Sequence, residues 1–391
     1  MTARDVAIVG GGIVGTALAA ELAGSGVRVT LYERATLAAG ASGRNSGAVW
    51  YPADPVLGSL YRGSLARYRS LPDELAEALP ADAPERAFRL GERPSGILEL
   101  GWDEDALRLA AARAAASTPE LGATFVDAAA LRRLERGLAD GLAAIRFDIG
   151  FPVAPASATR ALGALARARG ATIREGVAAS VVRDGRRVTG VSVAGTLEPA
   201  AAVVVAAGPW SPAIVDPTGA WRPVRPLWGV IVELALGDAA PRHVLEESGV
   251  DAAIAPSPAG GDGQGAFDFS LVTADDRSSL GSTFLPDEPD PRAWEMRLRD
   301  RGARYLPAIA GSPTRGLRAC ARPLAADGRP LVGPVPGIDG LFIAAGHGPW
   351  GISTGPASAA HVAALVLGRT DPREAPVLAA TDSGRFGPPP A

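Results

Sequence analysis

Lysine is missing from this chain of 391 residues, so all 39 of its basic side chains are arginines. A composition rich in Ala, Gly and Pro goes with that absence, as in a GC-rich coding sequence. Whatever the cause, a role that calls for an ammonium group is closed to this protein. The single cysteine, Cys320, excludes an internal disulfide and a cysteine-built metal site. Three histidines, His243, His347 and His361, leave little from which to build a metal cluster. No apolar run reaches the ~20 residues needed to span a bilayer. A net charge of −3 and a pI near 5.8 offer nothing to nucleic acid or an anionic membrane. The apolar N-terminus is cut by glycines, so it reads as folded structure rather than a signal peptide, and the chain reads as cytoplasmic.

What is present starts at Val6. Val6–Val9 is a short apolar run of strand type, and Gly10-Gly11-Gly12-Ile13-Val14-Gly15 then fits G-x-G-x-x-G. A helical segment from Ile13 to about Gly24 and an alternating strand, Val27 to Tyr32, complete a βαβ unit with its glycines at the first turn. Gly10 permits the tight turn, Gly12 lets backbone N–H groups approach a pyrophosphate, and Gly15 lets helix and strand pack closely. The helix N-terminus adds partial positive charge. Glu33 follows Gly12 by 21 residues, where a carboxylate accepts from ribose hydroxyls. The loop Ala38–Trp50, with two Ser-Gly steps and Arg44, is suited to cradling the rest of an extended cofactor; an ordinary surface loop is the competing reading.

Further along, helices and connectors fill Leu57 to about Arg136, with a strand at Gly96–Leu100, and a helix spans Ser157–Gly170. Strands are expected at Thr172–Glu175, Ala179–Arg183 and Thr189–Val193, the last two joined by the Asp184-Gly185 turn. Ala200–Ala207 is a continuous apolar run, as in a buried parallel strand. Leu227–Leu236, Phe267–Thr273 and Ser279–Phe284 alternate like strands of a half-exposed sheet, and Arg292–Tyr305 is helical. Because the two kinds of segment interleave, we expect an α/β (α+β) chain with a Rossmann-like nucleotide lobe from residues 1–50, 151–210 and 325–391. A discontinuous, mainly antiparallel-sheet substrate lobe would come from 51–150 and 211–324, and 381–391, with three consecutive prolines, would fray.

A second strand–glycine–helix junction lies near the C-terminus: Leu341–Ala345, then Gly346-His347-Gly348-Pro349-Trp350-Gly351, then a helix. A helix N-terminus stabilises negative charge, which a flavin acquires on its pyrimidine edge when reduced. Two such junctions and the small-residue loop point to a flavin dinucleotide over NAD, which needs only the first. Upstream, Arg322-Pro323 sits close to where the lobes meet, placed to fork onto a substrate carboxylate or simply to be solvated.

With VAIVGGGIVG, GASGRNSGAVW, VVVAAGPWSP, ARPLAADGRPLVG and GLFIAAGHGPWGISTGP, the sequence resembles the D-amino acid oxidase superfamily of FAD-dependent oxidoreductases over nearly its whole length. That resemblance implies FAD held by Gly10, Gly12, Ile13, Val14, Gly15, Glu33 and Arg34. It implies Ser42, Gly43, Arg44, Asn45, Ser46 and Gly47 along the phosphates and ring, and Val177, Gly208 and Trp210 near the adenine. Gly346, Gly348, Pro349, Trp350, Gly351 and Ile352 would hold the isoalloxazine, and Arg322 would grip the substrate carboxylate. Two features depart from the pattern. Cys320 stands where glycine is usual and where sarcosine oxidases link a cysteine to flavin; a small buried thiol is the alternative. Sarcosine oxidases also use lysines near the flavin, one of them close to Trp350, and this chain has none, which moves weight from oxidase toward dehydrogenase.

The expected activity is oxidation of the C–N bond of a small amino or imino acid, such as a D-amino acid, glycine or sarcosine, by hydride transfer to flavin N5. Arg322 would orient the substrate, His347 would tune the flavin or accept a proton unless it is structural, and Tyr51, Trp228 and Trp350 are candidates for the pocket wall. Oxygen or a redox partner would take the electrons. The alternative is the flavoprotein subunit of a hetero-oligomeric opine- or hydroxyproline-type dehydrogenase, and beyond it a non-catalytic nucleotide-binding protein.

Overall fold

In the computed structural model, which describes residues 5–52, 54–249 and 266–390, the alternation of side chains along each strand sorts the chain into layers. Val6 and Ile8 enter one core and Ala7 and Val9 another, because successive residues of Asp5–Val9 point to opposite faces. This strand lies within a six-stranded sheet ordered Leu331–Pro334, Leu341–Ala345, Ala202–Val205, Asp5–Val9, Arg28–Glu33, Thr172–Glu175. Its neighbours are parallel except for the first pair. Both faces are covered, so Ala202–Val205 is buried throughout and reads as one apolar run. Helices Ile13–Gly24, Ser157–Ala168 and Gly351–Val366 cover one face, and a three-stranded antiparallel sheet, Ala179–Asp184, Arg187–Val193 and Thr196–Pro199, covers the other. Ten of the twelve residues of Ile13–Gly24 are buried, and its small side chains let it pack between the other two helices.

A second sheet has eight strands, ordered Thr314–Ala325, Val224–Leu234, Arg277–Phe284, Ala266–Ala274, Val244–Glu247, Ile97–Gly101, Ala143–Phe147, Thr124–Val126. All pairs are antiparallel except Val244–Glu247 with Ile97–Gly101. Val230, Val232, Phe269, Leu271 and Leu245 turn toward helix Pro291–Tyr305 and form its core. Residues between them in the chain, among them Ile231, Ser270 and Glu246, turn the other way and line a cavity.

Two expectations need correcting. Helix Pro55–Ala78, begun by Asp54 as N-cap and Pro55 in its first turn, falls in the segment assigned to the substrate lobe. Its apolar stripe, Tyr61, Tyr68, Leu71 and Leu75, instead joins the helical core over the six-stranded sheet, and Tyr68 Oη donates to Ile352 O at 2.7 Å. The tail is docked rather than frayed: Ser383 is fully buried with Oγ donating to Pro334 O, and Trp221 Nε1 donates to Gly387 O. Ala391 lies outside the described residues. Among those residues, no helix is long and apolar enough to cross a membrane.

Candidate active site

The cavity, about 830 Å³, runs from the first glycine turn to the eight-stranded sheet. At the turn, Gly10 has φ +117°, and a Cβ there would lie 2.5 Å from Ala206 O; a Cβ on Gly15 would lie 1.9 Å from Gly10 O. Neither clash can be relieved by moving a side chain, so both positions require glycine. Helix Ile13–Gly24 has no acid in its first turn and no side-chain cap from Gly12, which leaves its positive end to an outside acceptor. Ser42 Oγ takes one of those donors, accepting from Ile13 N at 2.9 Å. Glu33 accepts from Gly11 N and Ala35 N with its two carboxylate oxygens, at 2.7 and 2.9 Å, and lines the cavity.

Of the residues expected to hold a cofactor, Gly10, Gly12, Ile13, Val14, Glu33, Arg34, Ser42, Arg44, Asn45, Ser46, Val177, Gly208, Trp210, Gly348, Pro349, Gly351 and Ile352 all line this cavity. The Arg34 guanidinium lies 4.2 Å over the Trp210 ring. Asn45 fastens its loop: Nδ2 donates to Ala41 O and Ser42 O, and Oδ1 accepts from Gly47 N. Gly15, Gly43, Gly47 and Gly346 stand behind the lining, where they permit close packing; a Cβ on Gly43 would meet Ala38 O at 2.3 Å, and on Gly47 would meet Val153 O at 2.4 Å.

Two expected wall residues turn elsewhere. Tyr51 packs edge-on against Tyr61 and its hydroxyl accepts from Arg62 Nη1 at 3.2 Å, because helix Pro55–Ala78 passes beside it. Trp350 packs with Leu57, Leu60 and Ala357 and sits edge-on to Trp50. Trp228 does line the cavity. His347 is buried, with Nε2 hydrogen-bonded to Ser358 Oγ at 3.0 Å, so the ring ties the second glycine turn to helix Gly351–Val366. Burial pushes its pKa down to about 4, which leaves a neutral imidazole at neutral pH.

On strand Thr314–Ala325, Arg318, Cys320 and Arg322 occupy alternate positions and so share one face. Arg322 Nη1 donates to Thr283 O at 2.9 Å and Nη2 donates to Ser282 Oγ, with the guanidinium over the Phe284 ring. Gly229 on the neighbouring strand makes the room, since a Cβ there would lie 2.4 Å from Arg322 Nη2. Among the described residues Arg322 has no carboxylate partner, and enclosure by protein pushes its pKa below the usual guanidinium value. A charge held this way, at the wall of a cavity, favours an anionic ligand. Burial also pushes the Cys320 thiol up, only partly opposed by the nearby guanidinium groups of Arg322 and Arg318, so the sulfur is a protonated thiol.

Three residues escaped the sequence reading. Arg318 joins the loop to the sheet: it donates to Arg44 O, Asn45 O and Ser279 Oγ, and pairs with Glu233 at 2.9 Å. The alternation Arg318-x-Cys320-x-Arg322 would have revealed it. Glu246 and Asp268 also line the cavity, brought there by strand pairing that no local motif announces.

Residues 5–365 match the family model of FAD dependent oxidoreductases. Glycine oxidase of Pseudomonas aeruginosa is 29% identical over 387 residues, covering 93% of this chain and 95% of that protein. A D-amino acid dehydrogenase of Xylella fastidiosa is 31% identical over 249 residues, covering 61% of this chain and 53% of that protein. The crystal structure of glycine oxidase from Geobacillus kaustophilus has a TM-score of 0.79 at 26% identity, with 97% of each chain covered. Glycine turn, uncapped helix and matched family thus agree, and the chain belongs to the FAD-dependent oxidoreductases of the D-amino acid oxidase superfamily.

Proposed function

We propose that this enzyme oxidises the C–N bond of a small amino or imino acid whose carboxylate is held by Arg322. The observation that carries the reading is the buried Arg322 guanidinium, which faces the cavity and has no acid partner among the described residues. A carboxylate forked onto it would complete its charge and fix the substrate's orientation. Glycine oxidase and D-amino acid dehydrogenase among the relatives support an amino acid as the substrate class.

The residues present fit FAD. The glycine turn and the open N-terminus of Ile13–Gly24 would take the pyrophosphate, Glu33 a ribose, and Val177 with Trp210 the adenine. Gly348 to Ile352, at the start of a second helix without acids in its first turn, would hold the ring. Bound FAD supplies the hydride acceptor. The chain's own part is to bind, orient and enclose: Arg322 holds the carboxylate, Trp228 and Phe284 supply apolar wall, and neutral His347 steadies the second glycine turn rather than carrying a proton.

The test is anaerobic addition of amino and N-alkyl amino acids to the yellow holoenzyme. Bleaching of the flavin by at least one of them is the expected result, and re-oxidation in air then separates oxygen from a redox partner as acceptor. A flavin that no member of the panel bleaches, while dithionite does, would refute the proposal.

A further inference from the structure

We propose that the end of the cavity opposite Arg322 receives a cation, so that the substrate is an amino acid whose side chain ends in an ammonium or guanidinium group. The inference rests on Arg322 holding the carboxylate and adds what lies across the sheet from it. Glu246 pairs in register with Ser270, and Ser270 with Gly281. Their neighbours Leu245, Phe269 and Leu271 are committed to the helix-side core, so Glu246, Asp268 and Ser270 face the cavity, which all three line.

Distance selects the far end of a substrate rather than its α-nitrogen. Arg322 hydrogen-bonds to Ser282 and Thr283 on strand Arg277–Phe284. From that strand to Val244–Glu247 is two strand spacings, about 10 Å. The α-nitrogen of an amino acid lies only about 2.5 Å from its carboxyl carbon, whereas a lysine-length side chain carries its nitrogen roughly 7 Å away. The Glu246 side chain reaches back along the same sheet face, and Asp268 stands on Ala266–Ala274, one strand spacing nearer, which closes the remainder.

The local charge is unbalanced toward the acid. Glu247 takes the Arg301 guanidinium in a two-point pair at 2.6 and 2.8 Å, leaving Asp268 Oδ1 a contact of 3.5 Å with the same group. Asp268 Oδ2 has no hydrogen-bond donor among the described residues. Burial first, and then the neighbouring Glu247, push the Asp268 pKa up against the pull of Arg301, so this acid is only partly compensated.

Binding of two non-oxidisable carboxylates to the holoenzyme, followed by calorimetry and by the flavin spectrum, tests this. The pair is 6-aminohexanoate and heptanoate, which differ by an ammonium in place of a methyl. The amino compound should bind about tenfold or more tightly, and Asp268→Asn and Glu246→Gln should each drive that ratio toward one. Heptanoate binding as tightly in the wild-type protein overturns the cation subsite and leaves the Arg322 clamp standing. A ratio that both acid variants leave intact overturns the assignment to these acids. If neither carboxylate binds, the clamp itself falls and this inference with it.

Discussion

Gly229→Ala isolates the substrate clamp from the rest of the fold. A methyl group at Gly229 would lie 2.4 to 2.6 Å from the Arg322 guanidinium atoms, nearer than any real contact allows. The guanidinium is the free end of a flexible side chain, so it can swing aside without moving backbone. Swinging aside surrenders its hydrogen bonds to Thr283 O and Ser282 Oγ, each worth about 1.5–3 kcal/mol as bonds to a charged group. It also removes the fork a carboxylate needs. We expect kcat/KM for carboxylate substrates to fall about 10- to 100-fold, roughly 1.4–2.8 kcal/mol of transition-state binding. Arg322→Ala should cost more, about 30- to 1,000-fold. Stability should fall as well, by a few kcal/mol, because alanine's advantage of about 0.5–1 kcal/mol over glycine in an extended strand offsets only part of the two surrendered hydrogen bonds. Steady-state kinetics with matched flavin content, beside a thermal melt, makes the measurement. Gly316→Ala serves as control, since a methyl there meets nothing nearer than Glu233 Cβ at 3.9 Å. Wild-type kinetics in Gly229→Ala would refute the assignment of the clamp.

Other substitutions probe the supports of the site. Gly15→Ala places a methyl 1.9 Å from the Gly10 carbonyl oxygen, a backbone atom, and should yield protein that retains no flavin through gel filtration. Arg318→Ala breaks the link between loop and sheet and leaves Glu233 to the exposed Arg277; urea unfolding should register a loss of about 2–4 kcal/mol. His347 titrates near 6.5 when unfolded and about 4 when folded, so its contribution is complete above pH 6.5 and is lost as pH falls toward 4. Relative to His347→Gln, the wild-type protein should lose about 3 kcal/mol between pH 6.5 and 4, and parallel stability profiles would contradict the burial argument. Acid precipitation should release all flavin to the supernatant, since Cys320 is held as a buried thiol; yellow colour retained in the pellet would show a covalent bond.

Legibility followed locality. The first glycine turn is legible because its demands are met within one short segment: a tight turn, a close backbone approach and a helix start each impose a residue type on neighbouring positions. The parallel strands were readable because burial on both faces leaves no polar alternation to confuse. Tyr51 and Trp350 misled for the opposite reason: an aromatic beside a glycine loop has two sides to turn to, and helix Pro55–Ala78 decided which. That helix was itself assigned to the wrong lobe, since an apolar stripe states that something is buried and not against what. The short strands Ala143–Phe147 and Val244–Glu247 gave no signal because their partners lie far away in sequence.

The same logic explains why the acids opposite Arg322 stayed hidden and why they are informative. Glu246 stands beside Leu245 in a strand of four residues, too short for alternation to register, and Asp268 stands beside Phe269 in a strand whose alternation marks two faces without saying which of them meets a cavity. Only the register of Glu246 with Ser270 and Ser270 with Gly281 carries both onto the wall that Arg322 shares. A sheet face built to hold solvent would tolerate such charges anywhere. Facing a cavity that Arg322 also lines, such carboxylates would be stabilised by the far end of a ligand whose carboxylate Arg322 holds, and that requirement would constrain the substrate's length as well as its charge.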